Sequence, residues 1–399
     1  MGFMIFCSRV LFLMFLLVWC MEEAEGDESK TFNVMEYGAV ADGKTDNSQA
    51  LLKAWSEGCQ WSNGKARVLI PTGSYMLNSV QFSGPCKAPI AFVIKGTLKA
   101  PTYLPNSNNG NWINFRYIDQ LTVSGGGILD GQGHSAWPHN DCSKNSNCPI
   151  FPISLAFDFI NDSKVHHLRS INSKNAHFNI YGCRNMNLSK IRLSAPDESP
   201  NTDGIKIGSS HRIKISRTVI ATGDDCIAML SGSTKIHISK VVCGPGHGIS
   251  IGSLGRYDGE QDVSGIVVKN STFTGTTNGV RIKTWPTPTS CKAFNFLFQD
   301  IIMENVFNPI TIDQLYCPHG GCDQQASSNV QISDVTYKNI VGSSSSEVAV
   351  SLICSRSKPC NKVILDNINL EYVGKGDSKS SCVNVVGVSY GQQTPPTCF

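Results

Sequence analysis

Short apolar alternations, each followed by a polar residue, recur along the middle of the chain, and their spacing restricts the fold more than any other feature. They read Ile213-Lys-Ile215, Ile236-His-Ile238, Ile266-Val-Val268, Phe296-Leu-Phe298, Val330-Gln-Ile332 and Val363-Ile-Leu365, with steps of 23, 30, 30, 34 and 33 residues between third members. A period of two argues for strands, and a step of that size argues for one solenoid coil per strand set. Helical stripes at i, i+3, i+4 are missing, and β-branched residues, Gly and Asn dominate. A sandwich also uses many short strands, but it does not require polar residues to recur in register.

Here they do recur. Asp203-Gly-Ile-Lys-Ile-Gly208 aligns with Asp225-Cys-Ile-Ala-Met-Leu230, His247-Gly-Ile-Ser-Ile-Gly252, Asn278-Gly-Val-Arg-Ile-Lys283 and Asn308-Pro-Ile-Thr-Ile-Asp313. Stacked as coils at a strand spacing of roughly 4.8 Å, these segments give two inward columns. One is Ile205, Ile227, Ile249, Val280 and Ile310, and the other is Ile207, Met229, Ile251, Ile282 and Ile312. Side chains alternate along a strand, so the columns Lys206, Ala228, Ser250, Arg281, Thr311 and Gly208, Leu230, Gly252, Lys283, Asp313 face outward. Asp203, Asp225 and His247 then share one edge of one face, with Arg281 and Lys283 one coil further along. Asp and Asn also serve as turn residues in solenoids, which explains any one of them more easily than the whole column.

The stretch Asp46 to Gly58 has the Ala, Leu and Lys content of a short helix, suited to closing the N-terminal end of a repeat core. From Ser343 onward the chain is rich in Ser, Gly and Cys and reads as end-coils pinned by bridges.

Met1–Arg9, the apolar run Val10–Met21 and the polar exit at Glu22–Gly26 have the order of a secretory signal peptide. The run of 12 residues is short of the ~20 that span a bilayer, so residues 1–26 are expected to be removed and 27–399 to form one domain. The formal charge of +3 becomes +5 without that segment, which suits an anionic partner. No basic run interleaved with aromatics is present, which sets nucleic acid aside. Of 16 cysteines, 14 remain after removal of the segment, an even number in an exported chain, which favours disulfides. Scattered histidines and the lack of Cys-x-x-Cys give no zinc pattern. Asn161, Asn187 and Asn270 open glycosylation sequons.

Asn201-Thr-Asp-Gly204, Gly223-Asp-Asp-Cys226, Gly246-His-Gly248 and Arg281-Ile-Lys283 concentrate groups that glycosidic cleavage needs. One carboxyl must protonate the leaving oxygen and another must activate water, roughly 6.5–9.5 Å away in an inverting enzyme. Crowded carboxylates cannot all ionise cheaply, so at least one is expected to stay protonated. Adjacent Asp224 and Asp225 require a bend, or two directions, to serve one cleft.

Together these four blocks resemble the signature of the polygalacturonases, glycoside hydrolase family 28. The likeness extends over Phe32–Asp46, Gly84–Pro89 and Gly125–Gly133, which resemble the plant branch. It implies a right-handed parallel β-helix, with Asp224 as general acid, Asp203 and Asp225 activating water, and His247 tuning them. It also implies that Asn201, Arg281, Lys283 and Tyr316 bind substrate, that no metal or cofactor takes part, and that the partner is pectin. The expected product is a secreted, cell-wall monomer with no membrane span. The stretches Ser170–Cys183 and Ser194–Asp203 look most like pollen-type exopolygalacturonases, with the longer coils leaving room for blocking loops and endo cutting as the alternative. A pectate lyase or a non-catalytic pectin-binding wall protein is a more distant alternative. A Cys226–Cys243 bridge is expected between successive coils, with Cys59–Cys86, Cys317–Cys322, Cys354–Cys360 and Cys382–Cys398 as further candidates.

Overall fold

The computed structural model describes residues 29–399 apart from 103–109, 143, 146, 147, 319, 321 and 324; the expected signal peptide, 1–26, lies outside the described residues. The chain winds as a right-handed parallel β-helix. An 11-stranded sheet runs from Val80–Ser83 to Lys379–Val383, and a 17-stranded sheet forms the rest of the wall. Pairing throughout is parallel, as a crossover solenoid demands.

The inward columns form as the spacing predicts. Ile205 pairs with Ile227, Ile227 with Ile249, Ile249 with Val280 and Val280 with Ile310, and each is fully buried. Each stacked aliphatic covers its neighbour's apolar face, so truncating one to Ala is worth roughly 2–5 kcal/mol. Ala228 and Ser250 point outward and are nevertheless buried, Ser250 beneath Asp225 and Arg281 from the adjacent coils and Ala228 on the floor of the cleft. On the other sheet one member of the repeat differs from expectation. Phe298 pairs with Tyr337, which pairs in turn with Leu365, while Ile332 pairs with Ala293. The column therefore continues through Val335-Thr-Tyr337, and Phe298 and Tyr337 stack with centroids 5.1 Å apart.

The helix is Ser48–Gln60, beginning two residues later than the sequence suggests. Asp46 closes a strand and accepts from the Ser48 and Asn78 amides, while the buried Asn47 amide reaches Thr45 and Met76 carbonyls. The helix covers the open end of the core by placing Trp55 against Phe82, Phe92 and Phe115, at 5.2, 6.2 and 5.5 Å between centroids. Trp55 is 4% exposed and its Nε1–H donates to the Ser83 carbonyl. Trp55→Ala should cost about 3–5 kcal/mol, read as a drop in the urea midpoint with little change in slope.

Six disulfides join Cys59–Cys86, Cys142–Cys148, Cys226–Cys243, Cys317–Cys322, Cys354–Cys360 and Cys382–Cys398. The even cysteine count does not end in full pairing. Cys183 and Cys291 are buried as free thiols, and burial pushes both up to about 12. They act as small packed hydrophobes. Asn187 and Asn270 are exposed, whereas the Asn161 amide donates to Asp119. No helix among the described residues is long and apolar enough to cross a membrane.

Candidate active site

The 11-stranded sheet carries a cleft of about 610 Å³ on its outer face. Asn201, Asp203, Asp224, Asp225, His247, Arg281, Lys283 and Tyr316 all line it. The strands Ile205–Gly208, Ile227–Met229, Ile249–Leu254 and Asn278–Thr284 supply its floor. Asp203, Asp225 and His247 each stand just before their strand, at the same edge.

Asp224 and Asp225 reach one cleft because the chain bends at Gly223–Asp224 before the Ile227 strand begins. A Cβ at residue 223 would strike the Ser199 carbonyl oxygen, so only Gly fits there. The bend is held by the Asp225 amide donating to Asp224 Oδ1 at 2.8 Å and the His247 amide donating to the Asp224 carbonyl at 2.9 Å.

Asp225 is 1% exposed and has three donors. Arg281 Nη2 and Ser250 Oγ donate to Oδ1, each at 2.8 Å, and Lys283 Nζ donates to Oδ2 at 2.7 Å. Arg281 Nε also donates to Ser250 Oγ at 3.0 Å. Asp224 Oδ1 lies 3.1 Å from His247 Nδ1. Asp203, 4% exposed, has the Lys206 ammonium 3.0 Å from Oδ1, though out of alignment for a hydrogen bond.

These surroundings separate the three carboxyls. Burial pushes Asp203 up to about 7, against the pull of Lys206 and with added repulsion from Asp224 and Asp225. Burial would raise Asp225 too, but Lys283 and Arg281 together hold it below the ordinary value. Asp224 is likewise held down, since the hydrogen bond and charge of His247 outweigh its burial. His247 is raised, first by that hydrogen bond and against its own burial. Below about pH 7 the site therefore favours a protonated carboxyl at Asp203, with Asp224 and Asp225 ionised and a proton shared toward His247.

Asn201 sits at φ 56° and its Oδ1 accepts from Asn140. Tyr316 lies under Lys283 Nζ, 5.1 Å from the ring centroid, and packs T-shaped with Trp285 at 5.5 Å between centroids. Arg256 lies over the Trp285 ring at 4.8 Å. Lys206, Ser250, Arg256 and Trp285 were not among the sequence candidates. The outward register placed Lys206 and Ser250 on this face, but no sequence pattern marks Arg256 or Trp285, which sit at loop positions beyond the strands. One oxygen each of Asp224 and Asp225 and a His247 nitrogen lie within 4.8 Å of one another. A dication there would compete with Arg281 and Lys283 for Asp225, so the donor set is electrostatically matched to cations already present.

Residues 59–393 match the family model described as glycosyl hydrolases family 28. An exopolygalacturonase of Platanus acerifolia is 47% identical over 366 residues, 91% of this chain and 96% of that protein. An exopolygalacturonase of Oenothera organensis is 45% identical, covering 88% of this chain and 98% of that protein. The crystal structure of endo-xylogalacturonan hydrolase from Aspergillus tubingensis superposes with a TM-score of 0.79 at 24% identity, over 92% of this chain and all of that one.

Proposed function

The chain belongs to glycosyl hydrolases family 28, and from that premise we propose that it hydrolyses the α-1,4-galacturonosyl bonds of pectin with inversion, cutting from a chain end to release galacturonate. The observation that carries this reading is one cleft holding three carboxyls, Asp203 pushed up by burial and Asp224 and Asp225 held down by their partners, beside two cations suited to a uronate polymer.

Asp224 donates the proton to the leaving oxygen as the glycosidic C–O bond breaks. It rests ionised, so its proton comes across the 3.1 Å contact from His247 Nδ1. An arriving polyanion favours that transfer by adding negative charge beside Asp224. Asp225 accepts the water proton as the new C–O bond forms. Its two oxygens offer about four lone-pair sites, of which three are taken, leaving one for water. Protonated Asp203 orients the same water. A second reading gives the acid role to Asp203, whose value of about 7 suits it. No metal enters either scheme. A lyase reading is disfavoured by the family match and by the clustered carboxyls, and Arg281 is committed to Asp225.

The polymer lies across the outer face, with Asn201 and Tyr316 bounding the reacting sugar and the Arg256–Trp285–Tyr316 wall limiting the cleft. The protein acts as a secreted monomer in the cell wall, with residues 1–26 removed and a single β-helix domain remaining. Asn161, Asn187 and Asn270 are its sequon asparagines, of which Asn187 and Asn270 are exposed.

Product analysis on unesterified polygalacturonate tests the reading. Monogalacturonate should appear early as the β-anomer in NMR, while the solution stays viscous. A rapid fall in viscosity with mixed oligomers makes the enzyme endo-acting, and an initial α-anomer rules out inversion.

A further inference from the structure

The strands Asn187–Ser194, Lys214–Ala221 and His237–Cys243, on the 17-stranded sheet away from the cleft, present cations to solvent coil after coil. Lys190, Arg217 and Lys240 form one column, and Arg212 and Lys235 a second, with Lys214 beside it. All six are exposed, and among the described residues none has an ion-pair partner. Arg212, Lys214 and Lys235 also line an open groove of about 390 Å³.

The backbone under these cations is the more telling feature. Lys190, Arg217 and Lys240 have φ of 54°, 52° and 55°, and Arg212 and Lys235 have 58° and 54°. Left-handed backbone favours Gly, Asn and Asp. Further along, the same columns follow that preference with Asn270, Asp300, Asn339 and Asn367 in one, and Gly265 and Asn295 in the other. Where Lys362 occupies such a site, it is paired with Asp334 at 3.2 Å. The five unpaired cations thus occupy positions where folding alone favours a short side chain, and they form a block of like charge that repels itself.

We propose that this face is a second docking surface, separate from the cleft, for de-esterified uronate polysaccharide. One cation or more per coil, repeated at the strand spacing, meets a polymer bearing one carboxylate per sugar. Contacts of this kind are electrostatic, tolerant of register and weakened by salt. They hold the enzyme on its polymeric substrate without occupying the reacting site. The choice of a uronate polymer as occupant rests on the function proposed above; the placement of the cations does not.

The experiment replaces Lys190, Arg217, Lys240, Arg212 and Lys235 together by Asn, the residue the fold already uses in these columns, so folding should survive. Retention on immobilised polygalacturonate at low salt should fall by about tenfold or more, with a shallower salt dependence, while kcat/KM on trigalacturonate stays at the wild-type value. Unchanged retention overturns the proposal, as does an equal loss on trigalacturonate. Wild-type protein that holds anionic phospholipid vesicles or duplex DNA as tightly as polygalacturonate overturns the choice of partner. Asn187 lies in the groove, so Asn187→Gln is measured in parallel; retention seen only in that variant means a glycan covers the surface, and also overturns it. If the wild type is retained but never cleaves trigalacturonate, the proposed hydrolysis fails and the docking surface stands.

Discussion

Asp224→Asn is expected to lower kcat on polygalacturonate by about 10²–10⁴ while leaving oligogalacturonate binding close to wild type. The amide keeps the shape and still accepts from the Asp225 amide, so the Gly223 bend is preserved; what it loses is the ability to pass on the proton offered by His247. A fall in rate alone would not separate this role from that of Asp203, which holds the proton in the free site. The nature of the leaving group does separate them. A general acid matters less when the leaving group departs as a stable anion, so Asp224→Asn should recover much of its loss on an aryl galacturonide. Asp203→Asn, which disturbs the attacking water, should be as damaged on the aryl substrate as on the polymer. The reverse pattern would transfer the acid role to Asp203 and leave the Asp224–His247 pair as a positioning device.

The fold was legible because a solenoid writes its register into the sequence. Ile205, Ile227 and Ile249 stand 22 residues apart with nothing inserted, so their alignment follows from counting. The same counting failed at Ile332. The long segment from Tyr316 to Val330 intervenes there, and a period of two cannot distinguish one apolar pair from the next across an insertion. Tyr337 entered the column instead, where its ring stacks on Phe298.

The site was legible in its membership but not in its electrostatics. Register alone brought Arg281 and Lys283 to the right face, yet it does not show that both turn back onto Asp225. Nor does it show which carboxyl stays protonated. That order depends on how many cations accompany each buried group, two for Asp225 and one for Asp203. Asn140, which holds Asn201, comes from a loop outside the repeat and left no periodic trace.

The double commitment of Lys283 gives the remaining large effect. Lys283→Met keeps most of the side-chain volume but leaves Asp225 almost fully buried with only Arg281 and Ser250 as partners. Removing one partner from a buried ion pair costs about 3–5 kcal/mol, and the retained Arg281 places the expected loss at about 3 kcal/mol. Its pH dependence has a definite sign. In the wild type Asp225 is held below the unfolded carboxylate value of roughly 3.9, so its contribution to stability is fully present above that pH and is lost as the pH falls through the folded value. Without Lys283 the folded value rises, so wild type and variant should differ most in urea denaturation near neutral pH and converge in acid. Catalysis should follow the same group. If Asp225 is the base that must be ionised, the acid limb of the pH–rate profile moves to higher pH and the rate at mildly acidic pH falls by about 10² or more. If Lys283 serves only to grip a substrate carboxylate, KM rises on free polygalacturonate, methyl-esterified pectin is spared, and neither the acid limb nor the neutral-pH stability moves.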